Sequence, residues 1–146
     1  MVRTVMLAAV GAACLATGAG AAEQAGPYGH WRTPERGGLI EVSQCDGGQG
    51  RNELCGKILG GSGGGSAEER QDRNNKDPAL RGRPLIGMYI FRGLKPAGGS
   101  WKGSIYNPND GGTYAATVSL RSANVLEVKG CLVWPLCKTQ VWAKVK

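Results

Sequence analysis

The chain has 146 residues and a net charge of +7, from 18 Lys and Arg residues against 11 Asp and Glu residues. This length predicts one domain with a single modest core. The basic residues are scattered and form no nucleic-acid-binding motif, which argues against a nucleic-acid partner, whereas a positive charge favours encounters with anionic surfaces.

Residues 1–21 are typical of a secretory signal peptide. A basic start at Arg3 precedes an apolar stretch and a run of small residues that predicts a cut before Ala22. The apolar stretch is too short to cross a bilayer, so no transmembrane segment is predicted. A lipoprotein is the alternative, but the residues before Cys14 lack the aliphatic residue of a lipobox. We therefore expect a periplasmic or secreted mature domain, 22–146, with a net charge of +6.

Four cysteines remain in this mature chain: Cys45, Cys55, Cys131 and Cys137. They allow three disulfide pairings, and the spacing favours the local pairs Cys45–Cys55 and Cys131–Cys137. Each pair closes a short loop, for which the entropic stabilisation is about 2–3 kcal/mol. A metal site is the alternative, but neither pair has CxxC spacing and His30 is the only histidine.

Short β-rich runs separated by Gly, Asn, Asp and Pro recur at near-regular intervals, as in an all-β sandwich or barrel. No long amphipathic helix is predicted. The clearest run, 113–120, alternates Tyr, Ala, Val and Leu with mostly polar residues, which predicts one buried face. The eight predicted strands are 27–33, 38–45, 53–59, 85–93, 100–106, 113–120, 124–132 and 137–145.

Side-chain alternation supports the first cysteine pair. Cys45 and Cys55 both fall on the polar faces of their runs, 38–45 and 53–59, which a Gly-rich turn connects. This phase predicts a cross-strand disulfide on the outside of a hairpin.

Three small residues fall at inward positions of the predicted strands: Gly56, Gly103 and Ala116. Such residues either mark sharp bends in a barrel or leave an internal cavity for an apolar guest. The sequence leaves both interpretations open.

The segment 60–76 begins with a Gly/Ser-rich run and continues with mixed charges, which predicts a mobile loop. A phosphate cradle is the alternative, but the segment has no GK[ST] motif and no βαβ context.

The next stretch is the most distinctive in the chain. Asp77, followed by a proline, predicts the cap of a single helical turn. Arg81 and Arg83 then lie close enough together to clamp a carboxylate or phosphate with forked hydrogen bonds. The alternative is structural, with one arginine pairing with Asp77 or Asp110 to close the barrel end.

Catalytic chemistry has little support in this sequence. His30 is the only imidazole, and no GxSxG motif accompanies it. The oxygen-rich segment 107–112 lacks the closing Glu of a calcium loop and predicts a hairpin turn. The protein is therefore predicted to be no enzyme and to carry no metal or other cofactor.

Several motifs together resemble domain-of-unknown-function family 2147 (DUF2147). They are, in chain order, GHWRTP (29–34), LCGKI (54–58), DPALRGRPLIG (77–87), WKGSIYNP (101–108), DGGTY (110–114) and TQVW (139–142). The resemblance covers nearly the whole mature chain. It implies a small exported bacterial β-barrel of the lipocalin or calycin type, with no established catalytic residues. The Gly/Ser run at 60–66 departs from the family pattern.

The expected fold is an up-and-down antiparallel barrel of about eight strands with both local disulfides. The leading functional hypothesis is a non-enzymatic envelope protein that binds a small apolar or anionic amphiphilic ligand inside the barrel. Its predicted site places the ligand's head on Arg81 and Arg83 at the barrel mouth, beside the 60–76 loop, and its tail past Gly56 and Gly103 toward Trp101. Asp77 is also a candidate binding residue. The alternative is an interaction or structural module that acts through its surface on a protein partner.

Overall fold

A computed structural model describes residues 26–45, 52–61 and 70–146 of the chain. The predicted signal peptide lies outside these residues. Within them, eight strands and one 3-10 helix follow in chain order: β1 (Gly29–Arg32), β2 (Leu39–Gln44), β3 (Leu54–Gly60), the helix (Pro78–Leu80), β4 (Tyr89–Pro96), β5 (Trp101–Asn107), β6 (Gly112–Ser122), β7 (Val125–Val133) and β8 (Leu136–Lys144). All the strands are antiparallel neighbours in sequence order and close into a barrel. The eight predicted strands are confirmed.

One strand is displaced from its predicted position. The sequence predicts a strand over 85–93, whereas β4 begins at Tyr89. The residues before it form a turn instead, because the Leu85 N–H donates to the Arg70 carbonyl at 2.7 Å and Gly87 adopts a φ of +87°. This turn brings the chain back to the barrel wall, where the Gly87 N–H donates to the Ile58 carbonyl at 2.7 Å.

The connections alternate between the two ends of the barrel. One end, which we call the mouth, carries the β1–β2 loop, the long β3–β4 segment and the turns between β5 and β6 and between β7 and β8. The other end, which we call the base, carries the remaining three connections. The two ends differ in how their interior is filled.

Large apolar side chains fill the base. They include Trp31, Leu54, Leu94, Val118 and Leu126, each with no exposed surface. Two of the inward glycines make room for such residues. A Cβ on Gly56 would lie 2.3 Å from the Phe91 ring, and one on Gly103 would lie 2.6 Å from Leu94. These glycines therefore receive larger side chains and do not leave a cavity, and the third small residue, Ala116, is buried.

The barrel closes where β1 meets β8. Trp31 pairs with Lys144 and Arg32 pairs with Ala143. The indole N–H of Trp31 donates to the Pro27 carbonyl at 2.8 Å, so its one polar group is satisfied in the core. The Lys144 ammonium lies 5.3 Å from the centre of the Trp31 ring, within the range of a cation–π contact.

Both predicted disulfides are confirmed, Cys45–Cys55 and Cys131–Cys137. The second joins directly opposed residues of β7 and β8. The first differs from its predicted position on the outside of a hairpin, because Cys45 and Cys55 are only 8% and 2% exposed. The neighbouring strand covers it, with the Gly93 N–H 3.2 Å from the Cys45 sulfur.

Replacing Gly56 by alanine should destabilise the base. The new methyl group would overlap the Phe91 ring, and overpacking of this kind costs about 1–3 kcal/mol. Gly60→Ala, on the same strand, is the matched control, because a Cβ there meets no atom within 4 Å. Chemical denaturation of both variants measures the difference.

The clash itself is tested by a double variant. Gly56→Ala combined with Phe91→Leu should lose less unfolding free energy than the sum of the two single changes, because the second removes the ring that the first strikes. If the losses of unfolding free energy were additive, the space beside Gly56 would not determine how the Phe91 ring packs in the core.

Candidate functional site

A cavity of about 1190 Å³ opens at the mouth of the barrel. Its wall is built from aliphatic side chains on five strands: Ile40, Ile58, Ile90, Ile105 and Val128. Trp142 lies at its inner end, where the indole stacks on Phe91 with ring centroids 6.5 Å apart. The packed base therefore forms the floor of the cavity.

Charged side chains surround the opening. Glu35, in the β1–β2 loop, accepts hydrogen bonds from Lys138 on β8 and, at 3.3 Å, from Asn109 in the β5–β6 turn. The hydrogen bond and charge of Lys138 hold the pKa of the Glu35 carboxyl below its usual value, against the opposing effect of partial burial. Glu35 is therefore a carboxylate that connects loops on different sides of the mouth. Arg36 and Arg70 also line the opening.

A buried carboxylate, Asp72, holds the β3–β4 segment in place at the mouth. It accepts hydrogen bonds from Arg83 Nε at 2.8 Å, from Asn75 Nδ2 at 2.7 Å and from the Tyr106 hydroxyl at 2.5 Å. The Asp72 N–H also donates to the Arg83 carbonyl at 3.0 Å. The carboxylate thus joins the two arms of the segment to each other and to β5. We call Asp72, Asn75, Arg83 and Tyr106 the clasp.

The clasp sets the protonation of its own members. Burial alone would raise the pKa of Asp72, but hydrogen bonds from Tyr106, Asn75 and Arg83, with the charge of Arg83, bring it below the ordinary value of 3.8. Burial, and then the hydrogen bond to Asp72, raises the pKa of Tyr106 to about 12. At neutral pH the clasp therefore holds a carboxylate, a guanidinium and a neutral phenol.

The predicted arginines have structural partners. Arg83 pairs with Asp72 through Nε and Nη2, both 2.8 Å from the same carboxylate oxygen. The structural alternative predicts that one arginine pairs with an acidic residue, and Arg83 does so. The acidic residue is Asp72, however, and neither Asp77 nor Asp110. Arg81 donates at 2.8 Å to a main-chain carbonyl within the same segment.

The two other predicted site residues lie at opposite ends of the barrel. Asp77 caps the 3-10 helix, as predicted, by accepting from the Ala79 N–H at 3.0 Å. Trp101 is at the base, where its indole N–H donates to the Asn52 carbonyl at 3.1 Å. The fold does not bring Trp101 near the arginines. Ligand contact by any of the four residues remains a prediction.

Neither the cavity wall nor the clasp is predicted from the sequence. The wall consists of aliphatic residues at alternating strand positions, a signal identical to that of a solid core. Asp72 belongs to the mixed-charge run that was expected to be mobile. Residues 70–76 are instead held by hydrogen bonds, and 62–69 lie outside the described part of the chain. The predicted turn at 107–112 is confirmed, with the Gly112 N–H donating to Asp110 Oδ1 at 2.7 Å.

The cavity combines an apolar wall with a charged opening. Such a site can bury an apolar chain against the wall and contact a polar or charged head at the rim. No cluster of three or more His, Cys, Asp or Glu residues suited to a metal ion occurs among the described residues. The same part of the chain contains no helix long and apolar enough to cross a membrane.

Comparison with known proteins gives a family and a fold. A family model described as "Uncharacterized protein conserved in bacteria (DUF2147)" matches residues 29–144. The structure is similar to that of HP1028 from the human pathogen Helicobacter pylori, described as belonging to the lipocalin family. The two chains are 25% identical, the match covers 82% of each, and the TM-score is 0.69. No match is found among curated proteins.

We expect Arg83→Ala to destabilise the protein by about 1–3 kcal/mol, because it leaves a buried carboxylate without its cation. The half-exposed position of Arg83 limits the loss, since water replaces part of the contact. Arg81→Ala is the control and should cost less, because Arg81 reaches only a main-chain carbonyl. Thermal and urea unfolding measure both. An unchanged melting temperature with lost binding of an anionic ligand would instead assign Arg83 to ligand contact.

The clasp also predicts how stability depends on pH. Because the pKa of Asp72 is lowered on folding, its contribution is complete above 3.8 and is lost as pH falls through the lower folded value. Because the pKa of Tyr106 is raised, its contribution is complete below 10.0 and is lost as pH rises toward about 12. Asp72→Asn should flatten the acid side of the stability profile and Tyr106→Phe the alkaline side. Profiles parallel to wild type would contradict the assignment.

Proposed function

The chain belongs to the DUF2147 family, as its motifs predict, and on that premise we propose that it is a non-enzymatic, exported protein that binds a small amphiphilic molecule in its barrel. The observation that carries the proposal is the cavity with an aliphatic wall and a charged rim. Pockets for small ligands usually measure about 300–1000 Å³, so a space of this size is ample. A neighbour described as a lipocalin-family member supports the same class of function.

Export is supported by two features of the chain. Disulfides persist in oxidising compartments such as the periplasm, and the part of the chain that the structure describes contains two. The second feature is the predicted signal peptide, which would direct the chain across the inner membrane. The periplasm or the exterior of a bacterium is therefore the proposed location.

The apolar wall provides the affinity in this proposal. Each buried methylene contributes about 0.8 kcal/mol, which corresponds to about a fourfold gain in affinity. Binding should therefore strengthen with chain length in a series of fatty acids until the cavity is full. A ligand without an alkyl chain should gain little affinity from contact with the apolar wall.

The head of the ligand is proposed to be anionic. Of the described cations that line the opening, Lys138 contacts Glu35 and Arg36 also has an interaction partner, whereas Arg70 has no acidic partner among the described residues. Arg83, in the clasp, is paired with Asp72. Arg70 is therefore the cation best placed to receive a carboxylate or phosphate.

A second candidate function is interaction with a partner through the protein surface. It is supported by large apolar side chains exposed at the β7–β8 turn, where Trp134 is 77% exposed. An empty cavity together with a stoichiometric protein partner would favour it over ligand storage.

Gly130→Leu should weaken ligand uptake without unfolding the barrel. A Cβ at Gly130 makes only ordinary contacts, 3.6 Å from Tyr114 Cβ and 3.7 Å from Ile105, and the longer side chain then occupies the cavity. Fluorescence titration with dansyl-undecanoic acid should show at least about tenfold weaker binding, equal to about 1.4 kcal/mol. Thr139→Leu, on the outer face of β8, should bind like wild type.

The same titration tests the head group. Arg70→Ala should weaken binding of the anionic probe and leave binding of an uncharged dansyl amide of similar length unchanged. No saturable binding of either probe to the wild-type protein would contradict the proposed function.

A further inference from the structure

The turn between β7 and β8 presents a contiguous apolar surface to solvent. Its members are Leu132, Val133, Trp134 and Leu136, which are 68%, 61%, 77% and 64% exposed. The Cys131–Cys137 disulfide joins the two strands immediately below the turn, so the turn is held as a short, covalently closed projection. We call residues 132–136 the apolar tip. Proteins rarely leave so many adjacent large apolar side chains in water without a partner for them.

Cations flank the apolar tip. The Lys129 ammonium lies 4.8 Å from the centre of the Trp134 ring. Lys138 follows the tip on β8, and Arg70 lies at the same mouth of the barrel. Glu35, at the mouth, is paired with Lys138, and Glu127, whose charge interacts with that of Lys129, is paired with Arg121. The tip therefore combines an exposed indole with positive charge, on a chain whose net charge is +7.

We propose that this protein docks through the apolar tip onto a lipid bilayer that carries anionic head groups. Trp134 and the leucines would enter the interfacial layer, where indole rings are favoured, while Lys129, beside Trp134, faces the anionic head groups. Leu132 and Leu136 also line the opening of the cavity, so the apolar tip adjoins the proposed ligand site, but none of the proposed contacts with lipid requires a filled cavity.

The size of the tip favours a bilayer over a protein partner. A stable protein interface buries about 800 Å² on each partner and involves about 20–30 residues a side. The apolar tip is a single turn of five residues. A bilayer accepts such a projection without a complementary pocket, and the basic residues beside it match an anionic surface.

The test is co-sedimentation of the disulfide-bonded protein with lipid vesicles. Vesicles of phosphatidylcholine with about a third phosphatidylglycerol should retain the wild-type protein, and added salt should weaken binding. Trp134→Ser with Val133→Ser, two tip residues that do not line the cavity, should bind at least about tenfold more weakly. Val141→Ser is the matched control, because Val141 is 57% exposed on the outer face of β8 but lies away from the tip. Both variants should keep the wild-type melting temperature.

Fluorescence reports the contact directly. Of the four tryptophans, Trp31 and Trp142 are buried and Trp101 is half-buried, so Trp134 dominates any response to the environment. Emission should shift to the blue on addition of anionic vesicles and should be quenched by nitroxide groups inside the bilayer. Trp134→Phe should remove the shift and the quenching while retaining most of the sedimentation.

Equal sedimentation of the wild type and the Ser variant would overturn the proposal, as would equal binding to vesicles of phosphatidylcholine alone. A dimer that depends on Trp134 and forms without vesicle binding would assign the tip to a second copy of the chain. That result would also overturn the proposal.

Discussion

Closure of the sheet at Trp31 is the constraint on which the rest of this structure depends. In the described part of the chain, β1 and β8 meet through two residue pairs, a short seam for a barrel of eight strands. The indole beside that seam is fully buried and donates its N–H to the Pro27 carbonyl. Burial of a large side chain contributes about 1.5–3 kcal/mol, and closure removes the unpaired strand edges that an open sheet would present. The interior exists because the seam is closed.

The two ends of that interior are stabilised by different kinds of interaction. At the base, large side chains occupy the space left by Gly56 and Gly103, so stability there depends on shape and volume. At the mouth, a buried carboxylate and its partners fasten the β3–β4 segment, so stability there depends on charge and hydrogen bonds. Packing resists changes in pH, whereas the clasp titrates. The stability of the mouth therefore depends on pH, whereas that of the base does not.

This division places the open cavity, the charged rim and the apolar tip at one end of the molecule. The base cannot admit a guest, because Phe91 and Trp142 close the floor of the cavity. An amphiphile bound as proposed would enter and leave through the mouth. A barrel docked by its apolar tip would turn that same opening toward the bilayer, which is where amphiphiles reside.

The sequence by itself determined the strand order, the family and the cysteine pairs. Alternation of side chains and turn residues are local properties, and each cysteine pair closes a short loop, so these features required no knowledge of distant contacts. The tertiary structure alone decided what the inward glycines face and where the cavity lies, because Gly56 meets Phe91 only across the β3–β4 pair. It also decided that Arg83 faces Asp72, eleven residues earlier in the β3–β4 segment, and Tyr106 on β5. Whether an aliphatic residue lines a cavity or a solid core depends on what stands opposite, and that is fixed only when the barrel closes.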